Sequence, residues 1–241
     1  MAVNVTISTE GIQENPGTAG TDGSDAVSSS NTILIFDDFI SNTAVGNVGF
    51  TSTSANGGSS SVITSESNHS GISQLSTGSS GATGYNNLFL GSNTIFLGNG
   101  TLDLEFLIRL PTLSSGTEEY VVRIGLGDTL TTDHSNGVWF EYDRATSVNW
   151  RYCVNNAGSA AKVSSSTAVS ENTWIKLKIS VNAAASLITF YVGGVSIGTA
   201  ASGFSTSGFG PRININKTVG SSARVLQMDY FSLNYALSTA R

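Results

Sequence analysis

Charge is scarce in this chain. Only 12% of the 241 residues are charged, and Lys and Arg together number 11. Gripping nucleic acid requires a basic face that neutralises phosphates, and a formal net charge of −6 with a pI near 4.8 argues against such binding. The same shortage of Glu, Lys and Arg removes the usual helix formers, so almost no helix is expected. Cysteine is nearly absent: Cys153 stands alone, no intrachain disulfide is available, and packing must hold the fold, which suits assembly in a reducing cytoplasm. No run approaches the roughly 20 apolar residues of a membrane span, and the opening MAVNVTISTEG has neither a basic region nor a long apolar one. A soluble protein without an export signal is expected, with no membrane or nucleic-acid partner. Phosphate-cradling loops, zinc-ligand spacings, nucleophile elbows and dinucleotide fingerprints are all missing, so no cofactor is expected.

What the chain does have is alternation. In Thr173 to Gly194, Ile175, Leu177, Ile179 and Val181 fall on one face and Lys176, Lys178 and Ser180 on the other. Ile188, Phe190 and Val192 repeat the pattern, and Gly193-Gly194 then supplies the positive backbone dihedrals of a tight turn. Strands are predicted over 33–40, 61–64, 72–76, 87–90, 94–97, 101–110, 119–127, 137–142, 147–154, 160–163, 173–182, 186–192, 211–216 and 224–235. Leu102, Leu104, Phe106, Ile108 and Leu110 share one face, as do Tyr120, Val122, Ile124 and Leu126, and two stacked sheets would bury both sets. The expected fold is all-β, an antiparallel two-sheet jelly-roll sandwich over residues 33–241, preceded by an extended arm over 1–32. The Trp-led hairpin ending in Tyr-Val-Gly-Gly resembles the late strands of concanavalin A-like (laminin-G-like) sandwiches.

The arm has little to bury. Between residues 8 and 31 the only large aliphatics are Ile12 and Val27. Ahead of them Val3, Val5 and Ile7 alternate with Asn4 and Thr6, a pattern suited to adding a strand to another subunit's sheet edge. Packing back on its own domain is the other reading.

Several constellations invite a chemical reading. Asp103 and Glu105 lie two residues apart on one strand face. Concanavalin-like glycosidases carry a Glu-x-Asp-x-Glu strand there, but here the triplet is Thr101-Asp103-Glu105, lacking the first carboxylate. Cross-strand pairs with Arg109 and Arg123 are the plainer reading, so no catalytic residue is assigned and no enzyme is expected. Asp22, Asp25, Asp128 and Asp133 read as turn residues rather than a calcium loop, and no metal site is assigned. Cys153 reads as a small sheet residue, with His69 and His134 at no catalytic spacing from it. Trp139, Trp174 and Tyr191, taken as exposed aromatics, are candidate glycan contacts, against a packing role.

Four stretches together, FDDFISNTAVGNVGF (36–50), NHSGISQLSTGSSGATGYNNLFL (68–90), DHSNGVWFEYD (133–143) and KTVGSSARVLQMDYFSL (217–233), resemble a group of tailed-bacteriophage virion proteins built on this sandwich. The group usually has His-Pro-Gly where Ser70 stands and Trp where Phe50 stands. The resemblance implies a non-enzymatic virion structural protein assembled in the host cytoplasm. As a capsid decoration or cement subunit it would bridge the major capsid protein and copies of itself, as a homotrimer, through Val3, Val5, Ile7, Ile12 and Val27. The alternative is a carbohydrate-binding receptor module of a tail fibre that contacts host glycan.

Overall fold

The computed structural model describes residues 31–41, 43–91, 94–129, 132–157, 159–201 and 208–239. In chain order its strands are β1 (Thr32–Asp37), β2 (Thr51–Ala55), β3 (Ser59–Ile63), β4 (Ile72–Ser76), β5 (Tyr85–Phe89), β6 (Gly100–Arg109), β7 (Glu119–Gly127), β8 (Gly137–Asp143), β9 (Ser147–Asn156), β10 (Ser159–Ala168), β11 (Ile175–Val181), β12 (Ile188–Val192), β13 (Val195–Ala200), β14 (Gly210–Val219) and β15 (Val225–Leu237). One 3-10 turn, Gly81–Thr83, is the only helical element among the described residues. All pairings are antiparallel. One sheet has seven strands in the order β10-β9-β8-β7-β14-β5-β2. The other has eight, β13-β12-β11-β6-β15-β4-β3, with β1 also on β15. β4 pairs with the first part of β15 and β1 with the later part, so the two lie end to end along one side of it.

Period-two alternation builds the sandwich. Leu102, Leu104, Phe106 and Ile108 of β6 and Tyr120, Val122, Ile124 and Leu126 of β7 are all at most 1% exposed, one set from each sheet, as the alternation requires. Burying such side chains contributes roughly 1.5–3 kcal/mol each, and the described residues form one continuous core in which Phe190 meets Phe140 of the facing sheet edge-on, with Phe106 against Phe231 in one sheet and Phe140 against Trp150 in the other. The Gly193-Gly194 turn, with φ of 59° and 82°, joins β12 to β13 as the sequence predicts. The sequence reading misses β2 and β13. TSTSA has no apolar member larger than Ala, and VSIGTA carries a glycine; both are edge strands, where one partner strand and modest burial suffice. Conversely, 94–97 is not a strand: Ile95 makes a single bridge to Phe209 and its side chain is buried.

The arm residues Val3, Val5, Ile7, Ile12 and Val27 lie outside the described residues.

Candidate functional site

The outward side of the seven-stranded sheet is unusual. Cross-strand register places Lys162, Cys153, Trp139, Gly125, Arg212 and Phe89 in one row. The neighbouring row runs Arg151, Glu141, Arg123, Asn214, Asn87 and Thr53. These positions alternate with core residues, so a solvated surface is the ordinary expectation. Yet Glu141, Asn87 and Trp139 are 0% exposed and Arg212 is 2% exposed. Buried polar groups are costly unless they are hydrogen-bonded, which makes their partners the informative question.

Most of the charge is compensated. Glu141 accepts from Arg151 at 2.8 Å and Lys162 at 2.9 Å and lies 3.2 Å from Nε of Arg123. Asp133, in the β7–β8 loop, joins Lys162 at 2.6 Å and Arg123 at 2.9 Å. Burial raises the Asp133 pKa, but the Lys162 hydrogen bond and the Arg123 charge outweigh it and hold the carboxyl below its ordinary value. Arg212 is different. Its Nε donates to the Gly127 carbonyl at 2.7 Å and its guanidinium lies 4.9 Å from the centroid of the Phe89 ring, but it has no ion pair with a carboxylate among the described residues. Asp128 acts on it only at longer range and is itself occupied, accepting from the Ser135 and Asn136 amides at 2.9 Å each.

Beside Arg212, several hydrogen-bonding atoms have no partner. Both amide atoms of Asn87 are buried without one, as are Thr53 Oγ1, Trp139 Nε1, Arg151 Nε, Arg212 Nη1 and His134 Nε2. His134 belongs to the same face: its ring packs edge-on against Trp139 at 5.0 Å, and it lies so close to Gly127 that a Cβ there would collide with it. Nδ1 of His134 accepts from the Thr129 amide at 3.2 Å, which leaves the proton on Nε2. Burial, with the Arg123 and Arg212 charges, pushes the His134 pKa down to about 3, so the ring is neutral at pH 7.

The residues singled out by sequence are scattered over both sides of the sandwich. Trp139 is fully buried, a correction to its reading as an exposed aromatic; the loop carrying His134 packs against it. Trp174 and Tyr191 are half-buried on the opposite side, outside the eight-stranded sheet. The Trp174 ring already packs against the Arg109 guanidinium at 4.6 Å and the His69 ring at 4.5 Å. His69 is held by Asp229 at 2.8 Å, and Asp229 occupies a bulge of β15 that re-aims its carboxylate. Cys153 and His69 are on opposite outer faces, and burial raises the Cys153 thiol pKa, so it is protonated. Asp103 and Glu105 do form cross-strand charge pairs, but with Lys178 at 3.2 Å and Lys176 at 3.1 Å. The expected partners are corrected: Arg109 pairs with Glu66, and Arg123 belongs to the other sheet because β6 and β7 are in different layers. Asp128 and Asp133 serve the β7–β8 loop, and no group of three or more His, Cys, Asp or Glu suited to a metal occurs among the described residues. An apolar cavity of about 230 Å³, lined by Ile33, Ile35, Leu90, Ile95, Leu233 and Tyr235, lies between the sheets behind β1.

Sequence reasoning passed over Asn87, His134 and Arg212. The one available signal was Asn86-Asn87 inside an apolar run, since Asn is depleted in strands.

Comparison with known proteins agrees with the sandwich. The structure of a protein of unknown function, SO2946 from Shewanella oneidensis MR-1, superposes with a TM-score of 0.64 at 16% identity, covering 87% of this chain and 89% of that one. A carbohydrate esterase, vb_24B_21 from the Shiga toxin-encoding bacteriophage phi24B, gives 0.54 at 12% identity, covering 82% and 96%. The carbohydrate recognition domain of Emp47p gives 0.54 at 13% identity, covering 89% and 100%. At these identities the likeness is one of fold. A search of curated proteins returns no match. A family model described as SO2946-like, C-terminal domain, matches residues 68–229, which is more than half of the chain and takes in Asn87, Trp139 and Arg212; the protein belongs to that family.

Proposed function

We propose that this domain is a non-enzymatic glycan-binding module and that the outer face of the seven-stranded sheet is its binding surface. The observation that carries the reading is the set of buried hydrogen-bonding atoms without partners, shared by Thr53, Asn87, Trp139, Arg151 and Arg212 in two adjacent cross-strand rows. Each such atom costs roughly 1–3 kcal/mol when left unmade, and a face that keeps five residues in that condition is stabilised by a ligand rich in donors and acceptors. Sugar hydroxyls are both. Half-buried Phe89 and Tyr85 on β5 add aromatic surface at the same face. The carbohydrate-directed proteins among the structural neighbours, the phage esterase and the Emp47p recognition domain, support this choice of ligand. Binding without turnover is favoured because the carboxylates present are engaged: three cations surround Glu141, and two backbone amides occupy Asp128. The virion reading draws support only from the phage esterase, and head decoration, contact with the major capsid protein and a homotrimer form no part of this proposal.

Asn87→Leu separates binding from folding. Removing a buried amide with no partner is expected to raise stability by about 1–2 kcal/mol, while retention of glycans on a printed array falls at least tenfold. Wild-type protein retained by no glycan on a broad array, or Asn87→Leu retained as well as wild type, would sink the proposal.

A further inference from the structure

We infer that Arg212, Trp139 and His134 form an anion site, and that the glycan this face takes is an acidic one whose carboxylate or sulfate group docks there. The identity of the ligand rests on the glycan reading above; the anion site rests on the fold alone.

Arg212 and His134 meet at Gly127, and Trp139 packs on His134. Arg212 donates Nε to the Gly127 carbonyl, and the His134 ring lies against the Gly127 backbone where no side chain intervenes. Trp139 packs edge-on against His134, and register puts it one strand beyond Gly125 from Arg212. Each is at most 2% exposed, and each has a buried nitrogen without a partner: Nη1 of Arg212, Nε1 of Trp139 and Nε2 of His134. All three are donors. Guanidinium and indole nitrogens cannot accept, and the Thr129 amide fixes the imidazole proton on Nε2. Three unused donors and no unused acceptor among them select a ligand that only accepts, and charge-assisted bonds from Arg to a carboxylate or sulfate oxygen are the strong form of that interaction.

Charge points the same way. Arg123, Arg151 and Lys162 share Glu141 and Asp133, whereas Arg212 is a buried cation without an ion pair among the described residues. With Asp128, which acts on Arg212 at longer range, four cations face three carboxylates, a local positive excess on a chain of formal charge −6. A buried charge is tolerated when a partner of opposite sign completes it, and among the described residues no carboxylate pairs directly with Arg212. Phe89, under the guanidinium, holds the fork in one plane and presents it to a bidentate oxyanion.

The test is isothermal titration calorimetry of the 241-residue chain with three probes: sodium sulfate, oligomers of glucuronic acid, and neutral glucose oligomers of equal length. Wild type is expected to bind sulfate, and to bind the uronate oligomers at least tenfold more tightly than the neutral ones. Arg212→Gln is expected to abolish sulfate binding and to erase the preference, and Arg212→Lys to restore part of it. Trp139→Phe, which keeps an aromatic ring but removes the N–H, should weaken sulfate several-fold; unchanged near-ultraviolet circular dichroism in each variant verifies folding. Neutral and acidic oligomers bound equally, with no sulfate binding, overturn the anion site and leave the glycan reading standing. Sulfate bound through Arg212 with neither oligomer bound supports the anion site and overturns the acidic glycan. No binding of any probe overturns both.

Discussion

Acidification from pH 6.5 to pH 4 is expected to remove about 3 kcal/mol of folding free energy through one side chain, His134. Its imidazole has a pKa pushed down to about 3 by burial and by the neighbouring Arg123 and Arg212, against about 6.5 in the unfolded chain. Between those two values the unfolded state takes up a proton that the folded state refuses, so stability falls as pH falls, and the contribution is fully present only above pH 6.5. At pH 5, where most carboxylates are still ionised, the loss is already about 2 kcal/mol. Asp133, whose pKa is also depressed, adds to the loss below its ordinary range, because its pairs with Lys162 and Arg123 require the ionised form. Urea unfolding of wild type and His134→Asn at half-unit intervals from pH 7.5 to 4.5 isolates the effect. Asn can still accept from the Thr129 amide, and its curve should be flat from pH 6.5 to 5 where the wild-type curve drops. Parallel curves over that window would show that His134 is not the group responsible.

Replacing Glu141 by Ala is expected to be the most damaging single change on the polar face, costing about 3–5 kcal/mol, on the order of 10 °C in Tm. Glu141 is fully buried and is the common acceptor of Arg123, Arg151 and Lys162 from three different strands. Without it, three cations are left close together with only the partly exposed Asp133 to compensate them. Asp133→Asn should cost under about 1 kcal/mol, since the Asp133 side chain is 41% exposed and water replaces much of what it provides. Thermal unfolding of the two variants gives the ordering directly. Equal losses would mean that burial does not set the worth of these pairs.

The strands were legible because packing in a sandwich writes a period of two into the chain. Ile175 to Val181 and Leu102 to Ile108 show it without interruption, and both are strands whose alternating residues are buried, with Ile175 half-buried at the end of its strand. Where an edge strand buries little, as in Thr51–Ala55 and Val195–Ala200, there is nothing for the pattern to record. The polar face was illegible for a related reason. Arg212 and Asn214 alternate with Ile213 and Ile215, and alternation announces only that they point away from the core.

The chain by itself determined the fold class, the absence of a disulfide, the turn at Gly193-Gly194, the net charge and which side of each long strand faces inward, because those follow from composition, backbone stereochemistry and the alternation of side chains. Tertiary structure decided which strands share a sheet. It separated β6 from β7 and so gave Asp103 and Glu105 lysine partners instead of Arg123. It also set β14 between β5 and β7, which placed Arg212 across Gly125 from Trp139, with the Gly127 backbone against His134. Residues brought together from positions 87, 134, 139 and 212 have no local pattern in common. Their association depends on strand order and register, long-range pairings that the cooperative packing of two sheets fixes and that no short window of sequence contains.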